Sequence, residues 1–185
     1  METKKSSITR ILTLLIFLLS ISSIQAQKYN VKNGTAFFNA KISFNSYTGA
    51  SSELAGTINF DTGELEFSVP VSSILTPSNK RNKHMYELIN IDDFINVSFK
   101  GVFIDSFDFD KKEKQSLKIK GVFTLAGATK EIELSIDLTP EQNGLRLNAT
   151  WVLLITDYNL EPPTKALMTV KDEHEIGVDA LLIKE

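Results

Sequence analysis

The sequence predicts an all-β protein: an eight-stranded antiparallel barrel with one short amphipathic helix between strands 3 and 4. Eight segments between residues 38 and 182 alternate apolar and polar side chains, the pattern of strands with one buried face. Turn sequences such as Asp61-Thr62-Gly63 separate neighbouring segments. A sandwich of two sheets has the same pattern, but a closed barrel leaves no exposed sheet edge, which favours the barrel.

Each predicted strand is located by its apolar face. Gly56, Gly101 and Gly121 fall on these faces, where glycine permits tight curvature or simply occupies little space. In chain order the faces consist of Phe38, Ala40, Ile42 and Phe44; Gly56, Ile58 and Phe60; Leu65, Phe67, Val69 and Val71; Val97, Phe99, Gly101 and Phe103; Leu117, Ile119, Gly121, Phe123 and Leu125; Ile132, Leu134, Ile136 and Leu138; Leu145, Leu147, Ala149 and Trp151; and Ile176, Val178, Ala180 and Leu182.

The segment 79–94 interrupts the strands and has helical periodicity instead. Thr76 and Ser78 are candidate N-caps, because their hydroxyls accept hydrogen bonds from the first turn of a helix. Residues at i, i+3 and i+4 spacing give this helix one apolar face. That face consists of Met85, Leu88 and Ile89. We therefore expect an amphipathic helix that closes one end of the barrel as a lid.

The N-terminal residues 1–26 are typical of a secretory signal peptide. Lys4, Lys5 and Arg10 precede the apolar run Ile11–Leu19, and Gln25-Ala26 supplies a small residue before a cut. A membrane anchor is the alternative, but a spanning helix needs about 20 apolar residues. We expect cleavage after Ala26, no membrane span in the mature chain 27–185, and a periplasmic or secreted location.

Composition excludes several classes of function. The mature chain would hold 17 basic and 22 acidic residues, and this negative balance argues against nucleic acid as a partner. The chain has no cysteine, so disulfides, thiolate metal sites and cysteine nucleophiles are excluded. An outer-membrane barrel shares the alternation, but the polar helical segment in mid-chain argues against it.

No catalytic motif is visible in the sequence. It lacks a G-x-S-x-G elbow, a P-loop and an H-E-x-x-H helix, and no nucleophile–base pair can be identified. Its two histidines, His84 and His174, lack the spacing of metal ligands. We expect no enzymatic activity, no metal and no resident cofactor.

The two histidines have different predicted surroundings. His84 on the helix either contacts a ligand headgroup or anchors the helix to the barrel rim by a hydrogen bond, and the anchor is favoured. His174 lies in the charged run Lys171–Glu175, which favours a solvated start to the last strand.

The interior of the predicted barrel is rich in aromatic side chains. An eight-stranded barrel is either filled by its own side chains or holds one small apolar ligand. The residues alone leave both alternatives open.

Short motifs follow one another along the chain at Arg81–Met85, Asp93-Phe94, Val97–Lys100, Leu117–Leu125 and Gly127–Lys130. In this order and spacing they resemble the YceI-like family of exported polyisoprenoid-binding proteins. Arg81–Met85, Asp93-Phe94 and Val97–Lys100 are similar to its Arg-Asp-x-His-Leu run, Phe-Phe-Asp segment and Ile-x-Phe strand. Leu117–Leu125 and Gly127–Lys130 resemble a family strand and its Gly-Val-Thr-Lys turn. The resemblance implies a lipocalin-like barrel with an elongated apolar pocket that binds isoprenoid quinones or similar amphiphiles, and it favours the hollow barrel.

Other positions depart from the family pattern. Ala126 replaces a histidine, Ile155 an arginine and Asn82 an aspartate, so polar groups that would hold a headgroup are missing. The nature of the headgroup is therefore left open.

The first functional hypothesis is an exported carrier of an isoprenoid or fatty amphiphile, an apolar ligand held without bond chemistry. The expected ligand-binding residues are Phe38, Ile42, Phe44, Phe99, Phe103, Ile119, Phe123, Trp151, His84, Met85, Leu88 and Ile89. The alternative is an envelope-stress or protein-interaction module with a filled barrel, whose partner surface is the exposed loop Phe107–Phe109. The oligomeric state, including a homodimer, is left open.

Overall fold

The fold is a closed antiparallel β-barrel with a helix across one end. The computed structural model describes residues 27–43, 45–165 and 168–185, so the predicted signal peptide 1–26 and Phe44 lie outside the described residues. The strands are β1 Lys28–Ile42, β2 Asn45–Ser51, β3 Ala55–Asn59, β4 Glu64–Pro70, β5 Asn96–Phe103, β6 Gln115–Leu125, β7 Ala128–Glu141, β8 Gly144–Leu154, β9 Thr164–Lys165 and β10 Met168–Lys184. The helix α1 is Asn79–Ile89, and Val71–Ser73 and Ile155–Tyr158 form 3₁₀ turns.

Eight of these strands form the ring of the barrel. Their order is β1-β3-β4-β5-β6-β7-β8-β10, and β1 pairs with β10 to close it. The N-terminal part of β1 pairs with β3, whereas its C-terminal part, from Ala36 to Ile42, pairs with β2. Strand β9 pairs only with β10. The predicted eight-stranded closed barrel is therefore confirmed, with β2 and β9 as additions at one rim.

The predicted position of the helix is slightly off. It was expected between strands 3 and 4, but α1 follows β4, because β2 precedes it and has no alternating apolar face that would reveal a strand. Strands β1 and β10 are also longer than predicted. The register of β1 against β10 shifts between Val31 and Asn33, and such an irregularity breaks the period-two pattern by which strands are recognised.

Two glycines face each other where β5 pairs with β6. Gly101 is the register partner of Gly121. A Cβ atom at Gly121 would lie 2.2 Å from the Lys100 carbonyl oxygen and 2.5 Å from the Gly101 Cα, much closer than real atoms approach. At Gly101 the Phe99 ring occupies the space that a side chain would need. Glycine is required at this point because the two backbones approach so closely.

The lower half of the barrel, at the end with the β3–β4 and β7–β8 hairpins, is filled by its own side chains. Ile58, Leu138, Leu147 and Leu182 lie in this half and are at most 2% exposed. Below them an aromatic plug closes the end of the barrel, with Phe107 and Phe109 centred 5.1 and 5.2 Å from Phe60. The plug consists of Tyr29, Phe60, Phe103, Phe107 and Phe109.

The plug changes the interpretation of the loop between β5 and β6. Phe107 and Phe109 were expected to offer an exposed partner surface, but both rings pack against Phe60 and against each other, at 4.8 Å between their centroids. Phe107 is partly buried in this plug, whereas Phe109 stays 37% exposed on its outer side, so only part of the expected apolar surface is used to close the barrel.

We expect Gly121→Ala to lower the free energy of unfolding by about 1–3 kcal/mol, because the new methyl group overlaps the backbone of β5 and forces the strands apart. Urea unfolding of the purified variant measures this loss. The matched control is Lys120→Ala on the same strand, whose side chain points to solvent, and it should stay within about 0.5 kcal/mol of the wild type. An equal loss of unfolding free energy in both variants would contradict the requirement for glycine at position 121.

Candidate ligand-binding cavity

The upper half of the barrel contains a cavity of about 560 Å³, roofed by α1. This volume lies within the range of roughly 300–1,000 Å³ that is typical of small-molecule sites. Its apolar wall includes Val69 on β4, Val97 on β5, Leu125 on β6 and Leu153 on β8. The barrel is therefore hollow at the helix end and packed at the other.

Many of the sequence-predicted ligand-binding residues meet in this cavity. From the barrel wall and from α1, seven of them line it: Phe38, Ile42, Phe123, His84, Met85, Leu88 and Ile89. They come together because the apolar faces of β1, β6 and α1 converge at the same end of the ring. Their role in binding a ligand stays a prediction.

Four predicted residues do not line the cavity. Phe99 and Ile119 are buried in the packed interior, at 8% and 3% exposure. Phe103 belongs to the aromatic plug, where its ring stacks on Phe60 at 5.4 Å. The ring of Trp151 contacts Phe123 edge-on, with 5.8 Å between the centroids, so it lies directly behind the cavity wall. The alternation of the strands predicts that a residue faces inward, but not whether it meets a ligand or another side chain.

Trp151 has one unusual feature. Its Nε1 atom is buried and has no hydrogen-bond partner among the described residues. An unpaired buried donor costs about 1–3 kcal/mol, so the interior behind Phe123 is polar at one point.

Sequence reasoning missed several lining residues. Tyr47 lies on β2, Ile155 begins the 3₁₀ turn after β8, and Leu160 follows that turn. Val170 lies on the part of β10 that precedes the predicted strand. None of these segments has a clear apolar alternation, although the apolar residues around residues 153–160 give a weak signal of a buried connection.

His174 was expected at a solvated strand start, and this expectation is wrong. The residue is 8% exposed and lies on the cavity wall, with its ring centred 5.9 Å from that of Phe38. Burial lowers the pKa of His174 below its ordinary value, although the nearby Asp172 carbonyl and carboxylate oppose this effect. The imidazole Nδ1 lies 3.1 Å from the Asp172 carbonyl oxygen, so it donates its proton there in the neutral form. His174 therefore provides a neutral polar edge in a mostly apolar wall.

The polar part of the cavity lies at its mouth. Ser78, Lys80, Arg81 and His84 line it there, all at or near the first turns of α1. The Arg81 guanidinium carbon lies 4.0 Å from the centre of the Tyr47 ring, a cation–π contact between α1 and β2. The cavity is thus apolar inside and basic at the rim.

His84 does not make the hydrogen bond to the barrel rim that was favoured for it. Its side chain is 60% exposed, and its Nδ1 lies 3.3 Å from Oε2 of Glu87 on the same helix. The contact lies within α1, so it does not attach the helix to the barrel. The alternative role near a ligand headgroup stays a prediction.

Two other side chains attach α1 to the barrel rim. The buried Asn82 Oδ1 accepts hydrogen bonds from the Thr76 backbone N–H and hydroxyl, each at 2.8 Å. The Tyr86 hydroxyl lies 3.0 Å from both the Ser72 and Ile74 carbonyl oxygens, to which it donates. Ser78 caps the helix, since its hydroxyl accepts a hydrogen bond from the Arg81 N–H. These contacts fix the roof of the cavity over the open half of the barrel.

The described residues contain no group of three or more His, Cys, Asp or Glu side chains that could hold a metal ion. Within the same ranges, no helix is long and apolar enough to cross a membrane.

The chain matches a known protein family over most of its length. The model of the YceI-like domain matches residues 20–182. No curated protein matches the chain.

Several solved structures share the fold. A polyisoprenoid binding domain from Saccharophagus degradans implicated in plant cell wall breakdown superposes with a TM-score of 0.72 at 12% identity, covering 85% of this chain and 98% of that one. Burkholderia cenocepacia BcnA gives 0.65 at 10% identity, with 80% and 94% covered. A Campylobacter jejuni YceI protein gives 0.51 at 16% identity, with 90% and 87% covered. At these identities the likeness concerns the fold alone.

We expect the stability of the protein to fall as the pH drops below about 6.5, because the pKa of His174 is lowered in the fold and the unfolded chain binds the proton first. The loss develops as the pH falls from 6.5 towards the lower pKa of the folded state. Urea unfolding at pH 7.5 and pH 5 measures it, and His174→Gln should make the two midpoints more alike. His84→Gln is the control and should retain the difference, since that side chain is 60% exposed.

Replacement of Asn82 tests how the roof is attached. Asn82→Ala removes the acceptor of the buried Thr76 backbone N–H, so we expect the free energy of unfolding to fall by about 1–3 kcal/mol. Asn79→Ala in the exposed first position of α1 is the control and should change it by no more than about 0.5 kcal/mol. Urea unfolding measures the stability of both variants. An Asn82→Ala variant as stable as the wild type would show that Tyr86 and the Ser78 cap are enough to hold α1 on the barrel rim.

Proposed function

The chain belongs to the YceI-like domain family, and from this we propose that it is an exported binding protein that carries or sequesters a long apolar amphiphile in its barrel. The ligand is of the isoprenoid quinone, polyprenol or fatty acid type. Binding involves no bond chemistry. The observation that carries the proposal is the apolar cavity of about 560 Å³ between α1 and the barrel wall.

The shape of the interior supports a single elongated ligand. The cavity ends below at the packed half of the barrel, where Phe99 and Ile119 are buried, and its mouth lies beside α1. An apolar tail would enter at the mouth and lie against Phe123 and Leu153. Burial of each CH₂ group contributes about 0.8 kcal/mol, so a tail of several isoprene units provides enough free energy to offset the cost of ordering it.

The comparisons are consistent with this class of ligand. The Saccharophagus degradans domain, which shares the fold, is a polyisoprenoid binding domain. The residues 1–26 have the pattern of a secretory signal peptide, which supports export and a periplasmic or secreted location for residues 27–185.

A cavity-filling variant tests the proposal. Leu88→Trp places a larger side chain inside the cavity, so we expect it to lower the affinity for geranylgeraniol at least tenfold, since displacing two or three CH₂ groups costs about 2 kcal/mol. Titration of the purified mature protein with radiolabelled geranylgeraniol measures the change. Mass spectrometry of organic extracts from protein purified without detergent identifies any co-purified amphiphile.

The control for this experiment is Val152→Trp. Val152 is 61% exposed on the outside of the barrel, so the same substitution there should leave the affinity at the wild-type value. An equal loss of affinity in both folded variants would argue against the cavity. A mature protein that yields no co-purified amphiphile and takes up neither geranylgeraniol nor a fatty acid would overturn the proposed function.

A further inference from the structure

We propose that the amphiphile has an anionic headgroup, a carboxylate or a phosphate monoester, which Arg81 and Lys80 bind at the mouth of the cavity. This inference rests on the proposed function, because it assumes that the cavity holds an amphiphile. It adds the chemical class of the headgroup, which the apolar cavity wall does not determine.

The charge of the cavity is of one sign. Lys80 and Arg81 line its mouth, whereas no Asp or Glu is among the described residues that line it. The whole chain has a formal net charge of −3, so a rim that carries only cations departs from the average of the protein. A cationic rim beside an apolar cavity attracts an anion and disfavours a cationic headgroup, since like charges repel in a partly desolvated site.

Arg81 is held in position by an aromatic ring instead of a carboxylate. Its guanidinium carbon lies 4.0 Å from the centre of the Tyr47 ring, and the side chain is partly buried. Among the described residues, the ion pairs include neither Arg81 nor Lys80. The contact with Tyr47 does not involve an anionic partner, so the N–H edge of the guanidinium group is not neutralised by a carboxylate of an ion pair. That edge matches the two oxygens of a carboxylate or phosphate, which it binds with paired hydrogen bonds.

The position of these two cations on α1 is locally unfavourable. Lys80 and Arg81 lie in the first turn of the helix, which contains no acidic residue. The helix dipole places partial positive charge at this end, so cations there are destabilising and anions stabilising. A bound anion would be attracted by both side chains and by the helix end. Residues that break a local rule in this way are characteristic of functional sites.

The geometry also gives the ligand one direction. Arg81, Lys80 and Ser78 lie at the mouth, while the rest of the wall that reaches inward is almost entirely apolar. The headgroup would therefore remain at the rim and the tail would point towards the packed half of the barrel. His174 lines the wall beside Phe38, and burial lowers its pKa, so it adds no positive charge to the cavity at physiological pH.

Two matched pairs of ligands test this inference at pH 7.5. Oleate is compared with oleyl alcohol, and geranylgeranyl monophosphate with geranylgeraniol, so the tail stays constant within each pair. We expect wild-type protein to bind at least one anion about tenfold more tightly than its alcohol, the gain that one charge-assisted contact provides. Arg81→Gln should remove most of this preference, because the affinity for the anion should fall much further than the affinity for the alcohol. The preference should also shrink as the salt concentration rises.

The control variant is Lys83→Gln on the same helix. Lys83 does not line the cavity, and its side chain is 77% exposed and 3.9 Å from Glu87, so we expect the preference for the anion to persist. Arg81→Lys keeps the charge but loses the paired N–H groups and the contact with Tyr47, so it should retain only part of the preference. If Arg81→Gln fails to fold, Lys80→Gln should lower the preference in the same direction.

The outcomes separate this inference from the proposed function. A preference for oleate alone identifies a carboxylate, and a preference for the phosphate alone identifies a phosphate monoester. Equal binding of both anions and both alcohols would overturn the anionic headgroup and leave the proposed function intact. Failure of all four ligands to bind would overturn both.

Discussion

Strand β1 pairs with β10 from Tyr29 to Ile42, and this seam joins the first and last described strands into a ring. Every other feature of the molecule depends on it. A ring of eight strands encloses an interior just wide enough for side chains to fill or for one small ligand to occupy. Because β1 pairs with β3 at one end and with β2 at the other, the seam also extends the upper rim, where Tyr47 on β2 meets Arg81 on α1.

The two halves of the barrel interior are packed differently. The lower half has large apolar side chains at facing positions, such as Leu138 and Leu147, and the aromatic plug below them. In the upper half, α1 lies over the barrel and is attached by polar contacts from Asn82 and Tyr86. The rigid, filled half gives the stability, and the hollow half is supported at its rim. This division allows an apolar cavity without the loss of a continuous core.

The ring, its antiparallel order and the amphipathic helix could be predicted from the sequence, because alternation and helical spacing are local properties. The apolar face of α1 was predicted in full, and Met85, Leu88 and Ile89 do line the cavity. The border between packed and hollow halves could not be predicted, since Phe99 and Phe123 have the same alternation but only Phe123 reaches the cavity. His174 was misjudged because its charged neighbours in sequence point outward while its own side chain turns inward. Tyr47 was missed because β2 has no apolar face.

Trp151 lies where the two halves meet, edge-on to Phe123 in the cavity wall, and it is the single tryptophan of the chain. Indole emission is sensitive to the polarity and rigidity of its surroundings, and here the ring is one side chain removed from the cavity. The protein therefore contains one indole fluorophore, at the boundary between the packed half of the barrel and the cavity. Its emission spectrum would report events in the cavity without any label, whereas the solvent-facing surface of the barrel contributes no competing indole signal.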